Sequence, residues 1–191
     1  MYVTTTYIGV ERGRFHYLFF FVTESYIEAN GRIADALQPL LSEFGKQLAE
    51  HGAVVKPFDG GASRTFEEVW NRRWSPAQHD QLRDSTPGLL VIDSDFRTFD
   101  PAKDPYLFVS FREAMDDFGN VKPFEIGGLL SALTDGARRG DIFDSFGEHM
   151  KANERTQAKS KAWNALELKP GIWGFKVDLK TASEALSQMR R

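Results

Sequence analysis

Phe15-His16-Tyr17-Leu18-Phe19-Phe20-Phe21-Val22 contains seven apolar or aromatic residues in eight positions. A strand wetted on one face alternates apolar and polar side chains, and this run does not alternate. It is therefore expected to be a strand covered on both faces, with the rest of the chain supplying two layers.

The flanks extend this reading. Tyr2–Val10, with three consecutive threonines, has the β-branched content of a strand, and Glu11-Arg12-Gly13-Arg14 suits a tight turn. Together these predict an N-terminal β-hairpin. Downstream, Ser25 and Glu28 have capping-box spacing and predict a helix from about residue 26. Ile33, Leu37, Leu40, Leu41, Phe44 and Leu48 share one side of that helix, and Gly52 has the character of its C′ residue. Pro39 removes a backbone donor inside it, so a kink or break is expected there.

Ala53–Phe58 then reads as a short strand, and Ser63 can cap a helix running to about Trp74. Ser75-Pro76 restarts a polar helix with proline in its first turn. Gly88–Asp95 and Asp104–Phe111 read as strands, followed by helices over roughly Arg112–Phe118, Phe124–Thr134 and Asp141–Lys159. Ala165–Leu168 and Ile172–Leu179 look like a final strand pair. A C-terminal amphipathic helix then carries Leu179, Ala182, Leu186 and Met189. Strands alternate with helices throughout, so the expected fold is one α/β or α+β domain spanning residues 1–191. Its sheet would be mixed, of about six or seven strands, with helices on both faces.

The 191 residues suffice to bury roughly 70% of the unfolded surface of a single domain. Sixteen phenylalanines spread from Phe15 to Phe175 favour one aromatic core. There is no cysteine, which excludes disulfides, thiolate metal sites and cysteine nucleophiles. The apolar run at 15–22 has Glu11 in its flank and no small-x-small site behind it, unlike a signal peptide. No stretch approaches the ~20 apolar residues of a membrane span. A soluble, cytoplasmic protein is expected. Its net charge of −3 is uneven: residues 1–150 carry an acidic excess and residues 151–191 a basic one.

Three segments are candidates for chemistry. Asp59-Gly60-Gly61-Ala62-Ser63-Arg64-Thr65 follows a strand and opens a helix, where backbone N–H groups converge on an anion. Gly60, Gly61, Ser63, Arg64 and Thr65 are its candidate ligand-binding residues. The turn lacks the Lys-Ser/Thr of a phosphate loop, and a plain strand-to-helix turn capped by Ser63 explains it equally well. Asp93 and Asp95 end a strand, and alternation would place both carboxylates on one face, as a Mg²⁺ site requires. Aspartate also ends strands for purely local reasons. Lys151, Arg155 and Lys159 form a basic stripe at helical spacing, which suits nucleic acid or, more simply, a solvated helix face. The four histidines match no zinc-binding pattern, and His16 is expected in the core.

No catalytic motif organises these residues. The favoured expectation is a non-catalytic module binding a partner protein or an anionic, phosphate-bearing small ligand, with a homodimer compatible. The alternative is a small Mg-dependent phosphoesterase, with Asp93 and Asp95 holding the metal and the Gly60–Thr65 turn the substrate phosphate.

Overall fold

Every residue of strand β2, Tyr17–Val22, is buried. This segment is the centre of a computed structural model that describes residues 3–4, 10, 13–23, 28–56, 69, 72–112, 123–144 and 174–177. Tyr17, Phe19 and Phe21 face one side of the sheet. There they meet Leu37, Leu41, Phe44 and Leu48 of helix α1 (Glu28–Leu48) and Ile126, Leu129 and Leu133 of helix α3 (Pro123–Arg139). Leu18, Phe20 and Val22 face the other side, against Val69, Trp74, Phe96, Phe99 and Leu82 of helix α2 (Pro76–Ser85). The phenyl rings fix both contacts. Phe19 meets Phe44 edge-on at 4.9 Å, and Phe20 lies 4.3 Å from Phe96. Each such ring contributes about 1.5–3 kcal/mol by leaving water.

The fold is mixed α+β. Strands β3 (Gly52–Val55), β2, β4 (Gly88–Ile92) and β5 (Tyr106–Ser110) form the centre of a mixed sheet. Strand β1 (Val3–Thr4) lies along β3, and β6 (Gly174–Val177) along β5. β2 runs parallel to β3 and antiparallel to β4, which is in turn antiparallel to β5. No helix among the described residues is long and apolar enough to cross a membrane.

Several expectations need correction. β1 and β2 do not form a hairpin: both run parallel to β3, which lies between them. Gly13 does take the positive φ of a turn, at 66°, but four buried residues of β3 outcompete the threonine-rich segment for the edge of β2. Pro39 does not break α1, which runs unbroken from residue 28 to 48 with the proline on its exposed side. Gly52 is not the C′ residue of α1. Ala49 occupies the left-handed position there, at φ 52°, while Gly52 begins β3. Gly52 is small for a different reason, since a Cβ would lie 2.8 Å from the Phe19 ring. His16 is exposed, because the strand begins one residue later.

Other expectations stand. Ser75 caps α2 in a reciprocal capping box with Gln78, and Pro76 sits in its first turn. The C-terminal amphipathic helix and the 165–168 strand lie outside the described residues.

Candidate functional site

Strand direction decides what can meet. β1, β3, β2, β5 and β6 all run the same way, and β4 alone runs against them. The carboxyl ends of five strands therefore share one edge, the usual ligand edge of open sheets. The connection carrying Gly60, Gly61, Ser63, Arg64 and Thr65 leaves β3 at that edge. Those five residues lie outside the described residues, as do Lys151, Arg155 and Lys159. Asp93 and Asp95 follow β4 at the opposite edge. The five residues of β4 set these exits apart by roughly 17 Å at ~3.3 Å per residue.

At the carboxyl edge the described residue of most chemical interest is Lys56, which follows β3 directly. It is buried despite its charge. Its backbone N–H donates to Thr4 at 2.8 Å, extending the β1–β3 ladder. Its ammonium donates to Ser42 Oγ at 2.6 Å, to the Gln38 carbonyl at 3.2 Å and to Gln38 Oε1. A lysine closing the apolar run Gly-Ala-Val-Val was the available signal, and periodicity alone passes over it. Thr23 lies at the end of β2, and its buried hydroxyl has no partner among the described residues. Across the edge Ser110 Oγ donates to the Ser85 carbonyl at 2.7 Å, and Arg112 Nε to that of Thr86 at 2.8 Å. These bonds bracket the cis Thr86–Pro87 peptide.

The opposite edge is acidic, and its two aspartates behave differently. β4 stops at Ile92, so strand alternation does not extend to Asp93 and Asp95. Asp95 instead organises a turn. Its carbonyl accepts from Thr98 and Phe99, and its carboxylate accepts from the Arg97 backbone at 3.0 Å. Both carboxylate oxygens also take Arg97 Nη1 at 3.1 Å. The same guanidinium reaches the Val10 carbonyl at 3.1 Å through Nη2. Asp95 is thus neutralised and engaged.

Asp93 is exposed, yet its pKa lies above the ordinary aspartate value. Partial desolvation raises it most and Asp104 adds to it, while its own backbone opposes. Tyr17 is also raised, chiefly by burial and further by Asp93, Asp141 and Asp144, with the Ile142 backbone opposing. Among the described residues no three His, Cys, Asp or Glu side chains come together as a metal site would require.

No protein-family model, curated protein or solved structure matches the chain.

Proposed function

We propose that the protein is a non-catalytic binding module for an anionic, phosphate-bearing ligand held at the carboxyl edge of its parallel strands. The supporting observation is the placement of β3. It lies between β1 and β2 rather than at a border, and the segment carrying Gly60–Thr65 follows it in the chain. A glycine-rich turn leaving an interior parallel strand can offer its backbone N–H groups to a phosphate, with Ser63 and Thr65 adding hydroxyls and Arg64 a fork. Lys56 ties β3 to α1 immediately before the turn and so steadies its take-off point.

A Mg-dependent phosphoesterase draws less support from this arrangement. Its metal ligands Asp93 and Asp95 would have to work with a phosphate turn that leaves the sheet at the other edge, and Asp95 is already paired with Arg97.

Calorimetric titration with inorganic phosphate and pyrophosphate, at low ionic strength, tests the proposal. Saturable binding weakened roughly tenfold by Arg64→Ala is the expected result. Equal binding by wild type and variant, or none by either, would overturn it.

A further inference from the structure

β2 and β3 are adjacent and parallel, yet the chain leaves their carboxyl ends towards opposite faces of the sheet. After β2 it forms α1, which packs with Phe19 and Phe21 on one side. After β3 it reaches Val69 and Trp74, which pack with Phe20 on the other. Val10, which follows β1, also lies on the Phe20 side, so β1 and β3 do not diverge. Among the described connections the split therefore falls between β3 and β2. Where neighbouring parallel strands send their connections apart, neither connection crosses the strand ends, and a crevice opens there.

α1 builds one wall of this crevice. It runs antiparallel to β3. Leu48 stands by Gly52 at the start of the strand, where a Cβ would lie 3.3 Å from it, and Gln38 is held by Lys56 at the end. The residues from Glu28 to Leu37 thus continue past the end of β3, for about 15 Å at ~1.5 Å per residue. β2 stops well short of that reach, at Val22, ~7 Å beyond the Phe20–Val55 pair.

The length of the wall bears on the size of the ligand. A free phosphate would use a small part of it. A phosphate ester would use most of it, with its organic body over the strand ends and along the helix. We propose that the ligand is an organic phosphate monoester of nucleoside size, its body lying between the carboxyl ends of β2 and β3 beside the projecting turns of α1. This rests on the anion-binding reading above and adds the position and class of the rest of the ligand.

The backbone amides of Thr23 and Lys56, at the two strand ends, read the crevice in ¹H–¹⁵N spectra. Those of Arg112, after β5, and Asp93, at the opposite edge, are the controls. The full chain is titrated with inorganic phosphate, adenosine 5′-monophosphate and uridine 5′-monophosphate, each at the same low ionic strength. The expected result is a saturable shift at Thr23 and Lys56 with a nucleotide and none at the controls. At least one nucleotide should also bind roughly tenfold more tightly than phosphate, because its body adds contacts.

The outcomes separate this inference from the reading beneath it. Phosphate and both nucleotides binding equally, or nucleotide shifts confined to Arg112 or Asp93, would overturn the crevice and leave anion binding standing. Nucleotide shifts at Thr23 and Lys56 with undiminished affinity in Arg64→Ala would keep the crevice and remove the phosphate from the Gly60–Thr65 turn. Binding of none of the three would overturn both.

Discussion

The Lys56 ammonium, at the end of β3, donates to both the backbone carbonyl and the side-chain oxygen of Gln38, halfway along α1. The adjoining residue Pro39 carries no N–H, so the Asp35 carbonyl loses its usual helical donor. Ser42 Oγ folds back to the same Gln38 carbonyl at 2.8 Å and is itself a Lys56 acceptor. One ammonium thus uses its three protons on this turn of α1, which accounts for a buried cation on an otherwise apolar face.

Lys56→Met keeps the length of the stem and removes the donors. The Gln38 and Ser42 oxygens then lose a partly buried partner, at about 1–3 kcal/mol. For a chain of this size that corresponds to roughly 2–10 °C in melting temperature. Scanning calorimetry checks it, and an unchanged transition would mean the contact is energetically idle.

Glycine substitutions should split by sign. A Cβ on Gly88 would lie 2.5 Å from the Val109 carbonyl and 2.7 Å from the Phe108 ring, inside the β4–β5 ladder. Gly128, exposed on α3, has nothing within 4 Å of the same atom. Gly88→Ala should therefore destabilise by about 1–3 kcal/mol, as overpacking does. Gly128→Ala should stabilise by up to about 1 kcal/mol through helix propensity. Urea titrations of both variants measure the two effects, and equal signs would contradict the packing described.

What local pattern encodes was legible, and what strand order encodes was not. The aromatic run at 15–22 signals double-sided burial because seven of its eight residues carry the same message. The helix start at Ser75-Pro76 is similarly local. The partner of β2 is another matter: whether it pairs with the preceding strand or with Gly52–Val55 depends on competition between segments 30 residues apart in sequence. The direction of β4, antiparallel to β2, is likewise a long-range outcome, and it sets Asp93 at the edge opposite the carboxyl end of β3.

Asp93 makes stability pH-dependent in a definite direction. Folding raises its pKa above the ordinary 3.8, chiefly through desolvation and then through Asp104, so the fold favours the protonated acid. The contribution is full below the unfolded value and is lost as pH rises through the raised folded value. Asp93→Asn should match the wild type near pH 3 and exceed it in stability at neutral pH. Denaturant midpoints of both proteins across that range check this, and a gap that stayed constant with pH would refute it.

The two helix ends on one face of the sheet supply a last prediction. α3 closes on Gly140 at φ 75°, with Gly140 N–H donating to the Ala137 carbonyl at 3.2 Å and Asp141 N–H to that of Gly136 at 3.1 Å. That is the paired closure in which a glycine normally takes the left-handed position. α1 closes on Ala49 at φ 52°, and a Cβ in that conformation costs about 1–2 kcal/mol. Ala49 is exposed, so replacing it loses no packing. Part of the gain is offset by the greater freedom of glycine in the unfolded chain. Ala49→Gly should still stabilise, by about 0.5–1 kcal/mol or roughly 1–4 °C in melting temperature. The control is Gly140→Ala, which imposes the same strain on α3 and should lower the transition by a similar amount. If Ala49→Gly left the melting temperature unchanged while Gly140→Ala lowered it, α1 would have to end in a conformation other than the left-handed one.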